Sequence, residues 1–265
     1  MPVHLIQRLA QRFAGKCGYV VLPKARHAEL RELENYKPSE TPLGEHLRQL
    51  FGRLNVSCVL DVGANDGAYA ESLRRDVGYK GWIHSFEPVP DLHQVLQRKA
   101  AQDPRWIIHP YAVGAESGEA VLNVMVHDAF SSFLAPHPDQ PVKYADCNLI
   151  KKTARVPVHT IAEVLPGLLS KYGAGPVYLK TDTQGFDLEV FAGAKPVLSQ
   201  IVAFQSELSL RPIYKNAPGW LTQMSVFAEA GFVPSYLLPI SFDEGLAILE
   251  VDGVFVRAPA NAAVG

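Results

Sequence analysis

Short apolar runs alternate with amphipathic segments from position 56 onward. The runs are rich in β-branched and aromatic residues, a composition typical of strands, and occupy 56–62, 81–88, 105–113, 119–126, 177–182, 201–208 and 252–258. Apolar residues at helical spacing fill several of the gaps, at 68–75, 91–100, 187–198 and 220–230. Strands that alternate with helices predict βαβ units, and therefore an α/β fold with a mostly parallel sheet and helices on both faces.

The first 48 residues differ from the rest and are interpreted as a helical extension to a domain at 49–265. Apolar residues recur there at helical spacing with basic residues between them, and no acidic residue precedes Glu29. Such a helix can pack its apolar face on the domain, or it can rest as a basic amphipathic helix on an acidic membrane surface. The apolar positions are Leu5, Ile6, Leu9 and Phe13, and the basic ones are Arg8, Arg12 and Lys16.

Composition narrows the class of protein. The 265 residues carry a formal net charge of −2, which argues against a protein built to bind nucleic acid. The three cysteines are odd in number and lack metal-ligand spacing, which indicates a reducing compartment. No run reaches the roughly 20 apolar residues of a membrane helix, and no secretory signal is visible. We expect a cytoplasmic protein, peripheral to the inner face of the membrane if its N-terminal helix binds there.

The loop DVGANDG at 61–67 follows the first strand and opens a helix, the place where open α/β sheets bind ligands. Gly63 and Gly67 allow a tight turn and a close backbone approach, and we expect a side chain at either to occupy ligand space. The loop has no Walker lysine, and Asn65 breaks a GxGxxG pattern. Asp61 and Asp66 would repel a pyrophosphate but suit a cationic ligand such as S-adenosylmethionine (SAM).

A second cofactor element is Glu87, which ends the second strand 26 positions after Asp61 (87 − 61). That offset is near the ~20 residues at which an acidic residue holds a ribose in nucleotide-binding βαβ units. A carboxylate can accept hydrogen bonds from both ribose hydroxyls. Tyr69, which starts the following helix, either covers the cofactor's methionine part or packs the helix.

In chain order, DVGANDG, SFEP, YAVG, LKTDTQGFDLEVFAGA and a strand that ends in SEL together resemble the FkbM-type methyltransferases, over about residues 50–258. The resemblance implies a class I methyltransferase fold, with a seven-stranded sheet and an antiparallel final strand. It also implies an activity on hydroxyl groups of sugars, glycans or polyketides. The cofactor residues that it implies surround the methionine part (Asp61, Gly63, Asn65, Gly67), the ribose (Glu87, beside Pro88) and the adenine (Ala112, Val113).

The fourth-strand motif departs from the family pattern. The usual form resembles KxDVEG, whereas this chain has Lys180-Thr181-Asp182-Thr183-Gln184-Gly185. Gln184 replaces a frequent Glu, so any metal-binding or proton-transfer role of that Glu is in doubt here.

Methyl transfer from SAM to a hydroxyl needs an aligned acceptor and a group that removes its proton. Asp182 ends the fourth strand and Glu207 ends the fifth, so adjacent parallel strands would bring both carboxylates to one rim. The pair can bind a divalent cation such as Mg²⁺, or one carboxylate can act as base. Alternatively, Asp182 orients the SAM amine and Glu207 is a structural hydrogen-bond partner.

Two further segments are candidates for the acceptor site. In the loop at 127–132, His127 can act as a base, while Ser131 and Ser132 can bind a polar substrate; the alternative is a plain polar connector. After the fifth strand, Arg211 can meet an anionic group and Tyr214 can stack on a sugar ring.

The histidines show no zinc-ligand spacing. His84 is interpreted as a satisfied core or surface histidine, and His109 as a strand-end residue without a visible partner.

The sequence therefore predicts a SAM-dependent O-methyltransferase that acts on a saccharide or a lipid-linked glycan. A non-catalytic SAM-binding scaffold and an NAD-dependent oxidoreductase are the alternatives, and the missing GxGxxG opposes the second. Methylation of a nucleic-acid base is disfavoured, because DTQG stands where such enzymes often carry an NPPY-like tetrapeptide.

Overall fold

The computed structural model describes residues 41–258, and their helices and strands alternate as predicted. The helices are α1 (Pro42–Leu54), α2 (Ala68–Ser72), α3 (Pro90–Ala100), α4 (Ile161–Tyr172), α5 (Asp187–Ala194) and α6 (Trp220–Glu229). The strands are β1 (Cys58–Val62), β2 (Trp82–Phe86), β3 (Trp106–His109), β4 (Ala112–Val113), β5 (Gly118–Met125), β6 (Ile150–His159), β7 (Val177–Thr181), β8 (Ile201–Ser209), β9 (Phe232–Phe242) and β10 (Ile248–Arg257).

A central sheet of seven strands has the order β3-β2-β1-β7-β8-β10-β9. Strands β3, β2, β1, β7 and β8 pair in parallel, whereas β10 runs antiparallel to both β8 and β9. This is the class I methyltransferase arrangement, and the expected antiparallel final strand is confirmed. The strand order reverses between β1 and β7, where open α/β sheets bind ligands.

Alternate residues of the central strands enter two hydrophobic cores, because successive side chains of a strand point to opposite faces. Leu179 of β7 packs with Phe204 on one face, and Tyr178 of β7 packs with Ala203 on the other. Helices α4, α5 and α6 cover the first face, and α1, α2 and α3 cover the second. Cys58 is fully buried in the first core.

A small second sheet has the order β4-β6-β5 and stands beside the ligand-binding edge of the central sheet. The apolar run at 105–113 contributes one strand to each sheet, β3 to the central sheet and β4 to the small one. Proline has no backbone N–H to donate, so Pro110 interrupts the run between β3, which ends at His109, and β4, which begins at Ala112. The hydrophobic pattern did not predict β6 or β9. The first half of β6 is exposed and contains lysines, and β9 contains two prolines.

The domain's first helix runs across the boundary expected at residue 48. Leu47, Leu50 and Phe51 of α1 are buried in the second core. The basic amphipathic segment predicted near the N-terminus lies outside the described residues. Within residues 41–258, no helix is both long and apolar enough to cross a membrane.

Candidate active site

A cavity opens at the carboxyl ends of β1, β2 and β7, under the loop that follows β5. Of the residues predicted to bind the cofactor, seven line it: Gly63, Asn65, Glu87, Pro88, Ala112, Val113 and Asp182. The loop contributes Asp128, Ala129, Ser131, Ser132 and Phe133, and the segment after β7 contributes Thr183 and Gln184. The structure thus brings the predicted cofactor residues and the two serines of the predicted acceptor site into one space.

The charge of this cavity is acidic. Its charged lining residues are Glu87, Asp128 and Asp182, and no Lys, Arg or His among the described residues lines it. A pyrophosphate in such a cavity would face carboxylates without a compensating cation. A ligand with ammonium and sulfonium groups, as in SAM, fits the donor set.

Backbone amides hold Glu87 at the cavity wall. Its Oε2 accepts a hydrogen bond from the N–H of Asn65 at 2.8 Å, and its Oε1 accepts one from the N–H of Val89 at 2.9 Å. The side chain is buried, and this burial raises the pKa of Glu87 to about 7 despite the two amide donors. Each oxygen keeps a lone pair that can accept a ribose hydroxyl.

The protein itself requires glycine at both loop positions, in addition to any close approach of a ligand. A Cβ at Gly63 would lie 1.9 Å from the backbone oxygen of Asp182, and a Cβ at Gly67 would lie 2.8 Å from the ring of Trp106. Both residues have positive φ, 75° and 86°. Glycine lets β1's loop cross against β7 and lets α2 start against β3.

Asp61 and Tyr69 lie beneath the loop and do not line the cavity. The carboxylate of Asp61 is fully buried, 3.2 Å from the Nζ of Lys180, and accepts a hydrogen bond from the Oγ of Ser85. Tyr69 donates its hydroxyl to the Oε1 of Gln205. Packing, the alternative role of Tyr69, is therefore what the structure shows, and Asp61 supports the loop from inside.

Lys180 connects this buried support to the loop. Its Nζ donates to the backbone oxygen of Gly63 at 3.1 Å and lies 3.5 Å from a carboxylate oxygen of Asp182. Burial alone would lower the pKa of Lys180, but the neighbouring carboxylates Asp61 and Asp182 raise it, so the ammonium keeps its charge.

Asp66 also faces away from the cavity. Its Oδ1 accepts a hydrogen bond from the N–H of Ala68 at the start of α2, and its Oδ2 lies 3.4 Å from the Nζ of Lys99. Asp66 therefore binds the first residue of α2, and the acidic character of the cavity comes from Glu87, Asp128 and Asp182 instead.

The segment after β7 supplies the wall beneath the loop. Gln184 donates its Nε2 to the Oδ1 of Asp182 at 2.9 Å, and its backbone oxygen accepts a hydrogen bond from the Oγ of Ser132 at 2.7 Å. Gln184 has a left-handed backbone, with φ 55°. The Oγ of Thr183 is buried at this wall without a hydrogen-bond partner among the described residues. This wall thus combines a carboxylate with a polar atom that a ligand can satisfy.

Glu207 lies at the next strand end but outside the cavity lining. Its burial, the charge of Asp182 and a hydrogen bond with Glu250 raise its pKa well above the usual range for a carboxyl group. Glu250, the partner of Glu207, also accepts a hydrogen bond at its Oε2 from the hydroxyl of Tyr144. In the described part of the chain no group of three or more His, Cys, Asp or Glu side chains could hold a metal ion, so Mg²⁺ at Asp182 and Glu207 has no support.

Three other predicted residues lie away from the cavity. His127 is exposed, with its ring edge-on to Phe130. Tyr214 is 2% exposed and donates its hydroxyl to Gln184, so its ring has no free face for a sugar. Arg211 is exposed and lines a separate groove of about 710 Å³ with Lys143. Of the residues predicted for the acceptor site, Ser131, Ser132 and Asp182 line the cavity, whereas His127, Arg211 and Tyr214 do not.

The family profile described as the methyltransferase FkbM domain matches residues 61–238. The chain belongs to the FkbM methyltransferase family. No curated protein matches the chain.

Among solved structures, this FkbM methyltransferase is similar to magnesium protoporphyrin IX methyltransferase from Synechocystis, solved with SAM. The two share 10% identity at a TM-score of 0.43, over 82% of this chain and 81% of that one. It is also similar to the 1,6-didemethyltoxoflavin-N1-methyltransferase of Burkholderia thailandensis. That pair shares 11% identity at a TM-score of 0.40, over 89% and 85% of the two chains.

Several residues of the site in this FkbM methyltransferase could not be recognised from local sequence patterns. Asp128 and Phe133 line the cavity only because the second sheet places their loop over β7. Lys180 was visible in the fourth-strand motif, but its contact with Asp61 depends on the register of β1 and β7. His109, thought to lack a partner, has its Nε2 3.0 Å from the Nδ1 of buried His84.

Proposed function

We propose that this FkbM methyltransferase transfers the methyl group of SAM to a hydroxyl of a saccharide. The observation that carries the proposal is the acidic cavity, which is lined by Glu87, fixed by two backbone amides, and by Asp182. SAM would supply an electrophilic methyl group on a sulfonium, and the protein's residues would bind, orient and accept a proton.

Each part of the cavity matches a part of the cofactor. Glu87 can accept the ribose hydroxyls, and Pro88, Ala112, Val113 and Leu122 form an apolar wall suited to adenine. The two remaining carboxylates, Asp128 and Asp182, face the end of the cavity where the positive groups would lie.

Asp182 is the proposed general base. Its carboxylate lines the cavity and is partly exposed, so it can reach a ligand. In this role Asp182 would accept the proton that the acceptor hydroxyl loses on methylation and would later release it to water. The products would be the methyl ether and S-adenosylhomocysteine. The sulfonium would become a neutral thioether, and the released proton would carry away the positive charge.

Of the two loop serines, Ser131 is the one that can orient the acceptor. The Oγ of Ser131 accepts the N–H of Met125, which leaves its own proton available to an acceptor oxygen. The Oγ of Ser132 already donates to Gln184 and accepts from Leu134, so Ser132 shapes the loop rather than binding substrate.

The absence of a cation from the described lining favours a neutral acceptor group over a carboxylate or phosphate. A saccharide hydroxyl meets that condition, whether the saccharide is free or lipid-linked. A cytoplasmic location and peripheral membrane contact through the helix predicted from the N-terminal sequence belong to the same proposal, and a lipid-linked acceptor would fit them.

Calorimetric titration with SAM and S-adenosylhomocysteine tests the cofactor. We expect micromolar binding that is lost or greatly weakened in Glu87→Ala and retained in Glu119→Ala, an acidic-residue control on the exposed face of β5. If the folded protein bound neither compound, this site could not be that of a SAM-dependent methyltransferase. The oxidoreductase alternative would then be tested by titration with NAD.

A screen of saccharides with and without Mg²⁺ then tests the acceptor. Turnover in the unaltered chain, lost in Asp182→Asn while SAM still binds, supports the base. SAM binding without turnover on any saccharide, amine or carboxylate acceptor would favour the non-catalytic scaffold. A wild-type rate in Glu207→Ala would remove that residue from the catalytic step.

A further inference from the structure

The side-chain amide of Gln184 joins the proposed base to the loop over the cavity. Its Nε2 donates to the Oδ1 of Asp182 at 2.9 Å, and its Oε1 accepts from the hydroxyl of Tyr214 at 2.8 Å. The same hydroxyl lies 2.8 Å from the backbone oxygen of Phe130, in the loop. Tyr214 is buried, and burial raises the pKa of its hydroxyl, so it keeps its proton.

The hydrogen-bonded series from Asp182 through Gln184 and Tyr214 to Phe130 has more acceptors than donors while Asp182 is ionised. A tyrosine hydroxyl has one proton, yet the Tyr214 hydroxyl faces two acceptors, Oε1 of Gln184 and the oxygen of Phe130. One of the two must share that proton or go without it.

Protonation of Asp182 would remove the mismatch if the amide of Gln184 turned by 180°. The Oδ1 of Asp182 would then donate to Oε1 of Gln184, Nε2 of Gln184 would donate to the oxygen of Tyr214, and the Tyr214 hydroxyl would donate to Phe130. Three donors would meet three acceptors, one each.

We infer that Gln184 is a positioning residue whose side-chain amide turns by 180° when Asp182 takes a proton, so that the carboxyl group keeps a hydrogen bond to Gln184 both with and without that proton. This inference rests on the proposed role of Asp182 as base. It gives the Gln in this motif a function that a Glu could not perform, because a second carboxylate has no donor for ionised Asp182.

Backbone geometry holds the amide in place between its two partners. The residues Gln184 and Gly185 both have positive φ, 55° and 86°. A Cβ at Gly185 would lie 3.0 Å from Ala217 and 3.4 Å from the ring of Tyr214. The backbone oxygen of Gln184 is also held by Ser132. The backbone of this segment is therefore fixed, and the side-chain amide is held at its two ends by Asp182 and Tyr214.

Other ionisable groups surround Asp182, and their charges act on the same equilibrium. Lys180 is the cation of the set. The remaining groups that interact with Asp182 are Asp187 on α5, Glu207 on β8, Tyr214 and Asp252 on β10.

Nuclear magnetic resonance on the full chain tests the inference without an acceptor. Aspartate labelled with ¹³C at the carboxyl group, with Asp182→Asn for assignment, gives the protonation midpoint of Asp182. The ¹⁵N–¹H signals of the Gln184 side chain report the partners of its amide. We expect both sets of signals to change with one common midpoint.

Three variants separate positioning from simple structural support. In Gln184→Glu, the carboxyl groups of Glu and Asp182 are neighbours and share a proton, so the protonation midpoint of Asp182 should rise by about one pH unit or more. In Tyr214→Phe, the turned amide loses its acceptor, so the midpoint should fall by roughly half a unit. Asn123→Asp, which also exchanges an amide for an acid but bonds Leu134 in the loop, should leave it unchanged.

Gln184 signals that stay constant while Asp182 titrates would overturn the inference, as would a midpoint unaltered in Gln184→Glu. An Asp182 that stays ionised until the protein unfolds would overturn it too. None of these results depends on SAM or an acceptor, so the failure of the inference is distinct from the failure of the proposed function.

Discussion

Lys180 and Asp61 are paired residues on the neighbouring strands β7 and β1, with Nζ 3.2 Å from Oδ1 inside the protein. The carboxylate is fully buried and the lysine is 5% exposed. Lys180 also binds the backbone of the cofactor loop, so one ammonium group fixes both the sheet and the loop.

We expect Lys180→Met to destabilise the protein by about 3–5 kcal/mol, because removal of one partner leaves a buried charge uncompensated. Urea unfolding monitored by circular dichroism measures the change. The double variant Lys180→Met/Asp61→Asn should recover part of the loss. A double variant no more stable than the single one would show that the pair is not coupled.

SAM binding should depend on the ionisation of Glu87. Burial raises the pKa of Glu87 to about 7, so the free protein holds this carboxyl protonated below pH 7 and ionised above it. Ribose hydroxyls donate to the ionised form, so affinity should rise about ten-fold from pH 6 to pH 8 and binding should release protons at the lower pH.

The same raised pKa sets the sign of the stability effect. The pKa of this carboxyl is raised from 4.5 to about 7 by burial in the folded protein. The folded state therefore binds more protons than the unfolded state between these values, and the free protein becomes less stable as the pH rises from 4.5 to about 7. Saturating SAM should therefore raise Tm more at pH 8 than at pH 6. Calorimetry in buffers of different ionisation enthalpy checks the proton release, and the dependence should vanish in Glu87→Gln. A flat affinity across this range would mean that Glu87 does not carry the ribose.

A methyl group at Gly63 should be more damaging than strain alone explains. In Gly63→Ala the Cβ would meet the backbone oxygen of Asp182 at 1.9 Å, in addition to a φ of 75°. Gly78→Ala is the matched control, since Gly78 has a similar φ, 71°, and open space around it. We expect the control to lose about 1 kcal/mol and Gly63→Ala to lose at least about 2 kcal/mol more. Equal losses in thermal unfolding would show that the loop can move away from β7.

The buried His84–His109 pair should make the fold sensitive to acid. Burial lowers the pKa of His84 to about 3 and that of His109 to about 4. An unfolded histidine takes up a proton near pH 6.5, so the unfolded state binds more protons in this range and stability falls as pH drops. In His109→Gln the fall between pH 6.5 and 4 should be shallower, while His137→Gln, outside the pair, should keep the original slope.

The chain's local patterns predicted the strands of the central sheet where they carry unbroken β-branched runs, as at β1, β7 and β8. They missed β6, whose first half is exposed and basic, and β9, which contains Pro234 and Pro239. Much of β6 and of β9 is exposed, and a strand that is not covered on both faces does not need a continuous apolar run. The pairing of β6 with β4 and β5, and of β9 with β10, is therefore decided by the sheets and not by a local apolar pattern.

The cofactor side of the site was largely predictable, because its residues sit at strand ends and strand ends follow from local patterns. Gly63, Asn65, Glu87, Ala112 and Val113 all line the cavity. The acceptor side was not, because it depends on which loop lies over β7. Tyr214 and His127 have suitable chemistry, but one is buried behind Gln184 and the other points to solvent.

The sequence by itself determined the family, the α/β class and the loop that turns after β1, since these depend on residues close together in the chain. Only the tertiary structure decided that Asp61 faces Lys180 instead of a ligand, and that Gln184 stands between Asp182 and Tyr214. Contacts between distant positions follow from strand register and from the packing of the second sheet, which local periodicity does not encode.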